Sequence, residues 1–502
     1  MSTFEKRHWQ DDQLQPTLLC DFYKTGHINQ YPVGTTKIYS TWTARGTRMP
    51  NIQSTVFYGL QGFNQEFLVT YFNDNFFKRP IADILAEYIE TIEECLFIPN
   101  PDTTHISALH KLGYLPIKIY ALPEGTVVPV RVPMFTVENT HDDFFWVTNA
   151  LETLISTETW QPITVATISR EYRLLLEAYG MDTCGNIEHV PFQSHDFSMR
   201  GLGGVYHGAK VGGAHLLSGI GSDNIPAIHY LKNHYSGIIK DGGIGCSIPA
   251  TEHSVQCANM PEDLDETTFI KKLITEVYPT GLISIVFDTN DFWDNVTRIL
   301  PALRSVIQAR PGKVVIRPDS GDPIKILCGD PEADTFWERS GLIKILWDIF
   351  GGKPNALGYK VLDPCIGAIY GDAITLERAD IILDKLMGAG FASSNIVFGV
   401  GSFGYQYVTR DTFAQAFKST YAVINGVETF LSKDPKTDDG TKKSQKGKVV
   451  VGLREGKLYF RDCVDQELFD QVTYKNQMNL VFEDGHITWE NELSWMRKRT
   501  RQ

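Results

Sequence analysis

Residues 314–323 read Val314-Val315-Ile316-Arg317-Pro318-Asp319-Ser320-Gly321-Asp322-Pro323, and the fold turns on how they are read. An apolar, β-branched run ends abruptly in an arginine, a carboxylate, a hydroxyl and prolines. The run has the character of a buried strand, which Pro318 and Gly321-Asp322-Pro323 forbid from continuing. Arg317 and Asp319 are therefore delivered at a strand's carboxyl end, where parallel sheets and β/α barrels build their sites. An arginine for a phosphate and an aspartate for a metal, two residues apart, suit a phosphorylated substrate carrying Mg²⁺. A surface turn with an ion pair could look the same, so the neighbouring strands decide.

They repeat the pattern. Leu282 to Phe287 ends in Asp288, and a helical segment follows through Ile307. After Lys313 to Ile316 comes a helix with Leu342, Ile345, Leu346 and Ile349, closed by Gly351-Gly352. Cys365 to Tyr370 ends in Gly371-Asp372, and the helix Leu376 to Met387 stops at Gly388. Ile396 to Val400 runs into Gly401-Ser402-Phe403-Gly404, and Thr409 to Lys418 has helical spacing. Consecutive strands that all end in polar or glycine-rich turns predict a parallel β/α barrel or doubly wound sheet with one shared face.

The flanking parts differ. Leu115 to Tyr120 and Val127 to Val137 are strand-like, with Pro129 and Pro133 marking an edge or a bulge. Thr164 to Tyr179 reads as a helix stopped by Gly180, and Tyr421 to Phe430, Lys448 to Phe460 and Asn479 to Thr488 return to β character. The expected domains are 1–163, the N-terminal part of a mixed, mainly β domain; 164–418, the barrel-like domain; and 419–502, which packs with the first part. The lysine-rich loop from Lys433 to Gly447 reads either as a solvated loop or as a lid over an anion.

At 502 residues the chain is too long for one compact core. Its net charge of −13 argues against non-specific nucleic-acid binding and an anionic membrane surface. A polyanionic ligand must then be held by local Arg and Lys groups. The eight cysteines are scattered without a C-x-x-C pair, which fits a reducing compartment and no zinc module. Lys6-Arg7-His8-Trp9 lies in a polar start without an apolar signal core, and no run approaches the ~18 apolar residues of a membrane span. A soluble, cytoplasmic protein is expected.

Ser194 to Gly204 concentrates ionisable groups, glycines and an aromatic: Arg200 suits a phosphate, and Phe197 could stack on an aromatic substrate. Asp223 sits on a tight turn, where a helix N-cap is the commoner role. His253 stands beside Glu252; a catalytic histidine needs a partner on one nitrogen, and Asp288 is the candidate. The glycine run Gly399 to Gly404 is a weak phosphate-cradle signal.

At these residues the chain resembles the nicotinamide phosphoribosyltransferase family of type II phosphoribosyltransferases. The resemblance spans nearly the whole chain and rests on Asp21-Phe22-Tyr23-Lys24, Phe135 to Thr140, Trp160 to Thr167, His195-Asp196-Phe197, Glu252-His253-Ser254, Arg317 to Gly321, Gly371-Asp372 and Thr409-Arg410-Asp411, in family order. It implies an irregular β/α barrel beside the mainly β domain. It also implies synthesis of nicotinamide mononucleotide and pyrophosphate from nicotinamide and 5-phosphoribosyl-1-pyrophosphate, with Mg²⁺, in NAD biosynthesis. ATP would act as co-substrate through phosphorylation of His253, oriented by Asp288. Phe197 and Tyr23 would stack on the nicotinamide ring, Tyr23 from the second subunit of a homodimer, and Asp223 would accept the carboxamide N–H. Arg317 would serve both base and phosphate. Arg200, Asp319, Gly371, Asp372, Gly401 and Ser402 would line the ribose-phosphate side, with Mg²⁺ at Asp319 and Asp372. Arg410 and Lys418 would reach the phosphates across the dimer.

The chain departs from the family pattern at Met199, Ser402-Phe403 and Ala416, where an aromatic, successive glycines and a serine are common; these bear on affinity more than on reaction type. Three alternatives are a nicotinate phosphoribosyltransferase, which would want a neutral or positive group in place of Asp223, a non-catalytic phosphate-binding protein, and a metal-dependent hydrolase. The last lacks a convincing ligand set.

Overall fold

The computed structural model describes residues 13–260, 266–433, 436–437 and 443–502. Lys6 to Trp9 and part of the lysine-rich loop lie outside them. The chain forms two compact units: one from residues 1–167, 234–236 and 408–502, the other from 168–233 and 237–407.

In the second unit, six parallel strands carry the sequence pattern: β1 (Ser194–Asp196), β2 (Gly221–Ser222), β3 (Gly281–Val286), β4 (Gly312–Arg317), β5 (Ile366–Tyr370) and β6 (Ile396–Val400). Their order is β2-β1-β6-β5-β4-β3. β5 is wholly buried, as expected of a strand covered on both faces. Leu376–Gly388, between β5 and β6, shows why such helices pack: Ala379, Ile382, Leu383 and Leu386 form one buried stripe, and Thr375 Oγ1 caps its start by accepting from Arg378 N.

The sheet's two edges meet one segment. Cys246 bridges Gly221 of β2, with Ser222 N donating to Cys246 O and Cys246 N to Ile220 O. Four residues on, Ala250 bridges Ser284 of β3, with Ser284 N donating to Pro249 O and Thr251 N to Ser284 O. Residues 246–250 thus close the sheet into an irregular barrel and remove its free edges. All carboxyl ends of the strands open at one mouth.

The first unit is built on a seven-stranded antiparallel sheet, in the order 427–430, 415–424, 35–44, 133–139, 117–121, 479–483 and 486–487. Three N-terminal strands form its centre and two C-terminal strands flank them on each side, so both ends of the chain complete one sheet. Pro133 is the first residue of its strand, which is central rather than an edge, and the pairing shifts register between Phe135 and Pro133, so the bulge reading holds there. The helical reading of Thr409 to Lys418 is corrected: a single turn at Arg410–Thr412 leads into the strand Gln415–Ile424, paired with Thr35–Ala44. Non-local pairing overrides the local spacing there. The helix expected from Thr164 starts at Glu152 and runs to Cys184, with Pro162 inside it. Among the described residues no helix is long and apolar enough to cross a membrane.

Candidate active site

The mouth of the barrel holds the second unit's predicted residues. A cavity of about 290 Å³ is lined there by His195, Phe197, Asp223, Ser247 and Arg317, and by Leu282, Lys313 and Ile396 at the other ends of their strands. Phe197 follows β1 directly, and its N–H donates to Val400 O at the end of β6 (2.9 Å). The preceding Asp196 is fully buried and fixes the turn by accepting from Ser198 N (2.9 Å) and Ser198 Oγ (2.7 Å). The ring lies on two glycines: a Cβ on Gly399 would stand 2.4 Å from Phe197 Cδ2, and one on Gly371 3.2 Å from Cε2. Gly399, read as part of a phosphate cradle, is thus a seat for an aromatic ring. Backbone approach this close requires glycine.

Asp223 is not the N-cap that its turn suggested. Asn224 Oδ1 takes that part by accepting from Ala227 N (3.1 Å). Asp223 Oδ1 instead faces His195 Nε2 at 3.0 Å and accepts from Ser247 Oγ. Burial pushes the Asp223 carboxyl up, but bonds from His195 and Ser247 and the charge of Arg317 outweigh it and hold it below the ordinary aspartate range. Arg317 Nη2 donates to Thr251 O (3.1 Å), and its buried Nε has no partner among the described residues.

Beside the cavity, His253 opens a short helix, Nε2 3.9 Å from both Asp288 Oδ1 and Asp319 Oδ2. The nearer contact is one that sequence reasoning missed: Thr289 Oγ1 lies 3.2 Å from His253 Nδ1. Asp288 uses Oδ2 to receive Asp319 N (2.9 Å) and Ser320 Oγ (2.6 Å), so it shapes the loop after β4. Its buried Oδ1 has no hydrogen-bond donor among the described residues. Tyr370 OH ties the same loop down through Ser320 O (3.0 Å) and Gly321 O (2.9 Å). At the rim, Arg200, Asp372 and Ser402 are exposed, and Gln406 Nε2 joins the Ser198 turn to the Ser402 turn through Ser198 O (2.8 Å). Among the described residues no group of three or more His, Cys, Asp or Glu side chains could hold a metal by itself.

Tyr23, Arg410 and Lys418 belong to the other unit. Lys418 Nζ pairs with Glu152 Oε1 (3.0 Å), whose other oxygen takes the buried Lys24. Tyr23 is 60% exposed; burial of part of the ring and the Asp21 carboxylate push its phenol up, while Arg410's charge pulls the other way. Three residues far apart in sequence therefore share one region of the first unit.

Barrel and cavity bring an arginine, carboxylates, a histidine and an aromatic ring together at one mouth. Residues 192–486 match the nicotinate phosphoribosyltransferase family, and residues 16–119 the nicotinamide phosphoribosyltransferase N-terminal domain. A nicotinamide phosphoribosyltransferase from Acinetobacter baylyi is 44% identical over 98% of both chains. One from Mycoplasma pneumoniae is 35% identical over 87% of this chain and 95% of the relative. In fold, the nicotinate-nucleotide pyrophosphorylase of Pyrococcus furiosus matches with a TM-score of 0.54 at 12% identity, covering 100% of this chain and 97% of the other. Human nicotinic acid phosphoribosyltransferase matches with a TM-score of 0.52 at 13% identity, covering 96% and 93%. The chain belongs to the nicotinate phosphoribosyltransferase family and is an enzyme of the phosphoribosyltransferase class.

Proposed function

We propose that the chain is a cytoplasmic enzyme of NAD biosynthesis that joins nicotinamide to 5-phosphoribosyl-1-pyrophosphate, releasing nicotinamide mononucleotide and pyrophosphate. The observation that carries this reading is the Asp223 carboxylate in one cavity with the Phe197 ring. A carboxylate held ionised accepts the carboxamide N–H of nicotinamide, whereas nicotinate would bring a second negative charge beside it. The close relatives carry the same activity in their names.

The pyridine nitrogen attacks the anomeric carbon as its bond to pyrophosphate breaks. Positive charge builds on the sugar, as in glycoside cleavage, and negative charge on the leaving group. Phe197 orients the ring, and Arg317 and Arg200 receive the phosphates. Asp319 and Asp372 are the carboxylates that would hold Mg²⁺, whose charge offsets that of the departing pyrophosphate. Asp319 is part-exposed and belongs to no ready-made cage, which suits a cation that arrives on phosphate oxygens. Gly371, Gly401 and Ser402 border the ribose-phosphate side. A ring nitrogen of His253 takes the γ-phosphoryl group of ATP as the β–γ bond breaks and ADP leaves, and ATP stimulates transfer in this way. In a homodimer, Tyr23, Arg410 and Lys418 of one subunit complete the other's site.

The test is product formation from phosphoribosyl pyrophosphate and Mg²⁺ with nicotinamide or nicotinate, each with and without ATP. Nicotinamide mononucleotide is expected, formed faster with ATP. Turnover of nicotinate alone would overturn the substrate assignment.

A further inference from the structure

Asp223 shares one oxygen between two donors, and its Oδ2 takes none from the described residues. Ser247, His195 and Asp223 stand within hydrogen-bonding reach of one another, which invites comparison with a hydrolytic triad. The geometry excludes a relay. A relay needs the carboxylate on one ring nitrogen and the hydroxyl on the other. Here Asp223 and Ser247 both face Nε2, Ser247 at 3.4 Å. Nδ1 is buried without a partner among the described residues, and a Cβ on Gly221 would stand 2.7 Å from it.

The ring is 3% exposed and lies between two aromatics, Phe192 at 5.4 Å and Phe197 at 4.9 Å between centroids. A hydrogen on Nδ1 would be a buried donor with no acceptor. The ring therefore carries its hydrogen on Nε2 and donates it to Asp223 Oδ1. Ser247, exposed on the barrel-closing segment next to Cys246, donates to the same oxygen.

We propose that His195, assisted by Ser247, is a specificity-determining positioning residue: together they occupy Oδ1 of Asp223 and leave Oδ2 as the single anionic acceptor turned to the base. The inference rests on the reading that this cavity takes a pyridine carboxamide. It assigns His195 no contact with the reacting atoms. Its effect is that the carboxylate is held in one orientation and its charged form is favoured, so an amide is accepted and an acid refused.

The test is steady-state kinetics with both bases. His195→Phe keeps the aromatic packing and removes the donor, whereas His195→Gln keeps a donor near the place of Nε2. His195→Phe is expected to raise the nicotinamide KM about ten-fold, with kcat and the phosphoribosyl pyrophosphate KM within about three-fold of wild type. The nicotinamide-to-nicotinate ratio of kcat/KM should fall about ten-fold and recover largely in His195→Gln. Ser247→Ala should move the ratio the same way, less far, and decides the matter if His195→Phe does not fold. A wild-type ratio in the folded variants overturns the role of His195 while leaving the substrate reading intact. A wild-type enzyme that does not turn over nicotinamide overturns both.

Discussion

Thr289 Oγ1 sits 3.2 Å from His253 Nδ1, which leaves Nε2 as the nitrogen free to react. Two carboxylates face that nitrogen at 3.9 Å, close enough for an ion pair and too far to occupy it with a hydrogen bond. A phosphoryl group arriving there would stand beside like charge, which is a reason for ATP energy to be needed and for a cation to accompany it. Replacing His253 by Ala should abolish ATP stimulation and acid-labile protein phosphate while slow basal transfer persists, because Phe197, Asp223 and Arg317 are held by other elements. Radiolabelled γ-phosphate retained on the variant would remove His253 from the ATP step. Asp288 stood out in the sequence at the end of an apolar run, and His253 beside a carboxylate in a short polar patch. Thr289 and Ser247 did not, and His195 was part of a motif without a role of its own, because their partners are brought to them only by folding.

Strands β3 to β6 were legible because each is an apolar run of five or six residues ended by Gly, Asp or Arg. β1 and β2 have only three and two residues, too few for any periodicity, and the closure through 246–250 rests on single bridges to both edges. Nothing local announces such pairings. Gly399 was read from its spacing as a phosphate signal, yet its position inside β6, beside the Phe197 ring, makes it a packing surface. A Cβ there would overlap the Phe197 ring, which must then tilt off its seat. Gly399→Ala should raise the nicotinamide KM by about ten-fold or more and destabilise the fold by about 1–3 kcal/mol, the usual cost of overpacking. Isothermal titration of nicotinamide beside thermal melting checks both; unchanged affinity would show that Phe197 does not carry the base.

At the scale of the molecule the predicted residues divide between two compact units. Phe197, Arg200, Asp223, His253, Asp288, Arg317, Asp319, Asp372 and Ser402 belong to the barrel, while Tyr23, Arg410 and Lys418 belong to the antiparallel sheet unit. Lys418 pairs with Glu152, which burial pushes up but Lys418 and Lys24 hold below its ordinary range, and Arg410's charge acts on Tyr23. An exposed aromatic with cations beside it is a surface able to face a base and its phosphates. The homodimer reading assigns that surface to the partner's barrel, and a two-fold dimer would repeat the arrangement at both sites. Subunit mixing tests it. Tyr23→Ala and Arg317→Ala should each be nearly inactive alone. Co-expressed, they should recover roughly a quarter of wild-type activity, since random pairing makes half the dimers mixed and each mixed dimer holds one intact site. A single-chain site gives no recovery at any ratio, because every copy then carries one of the two lesions in its own site.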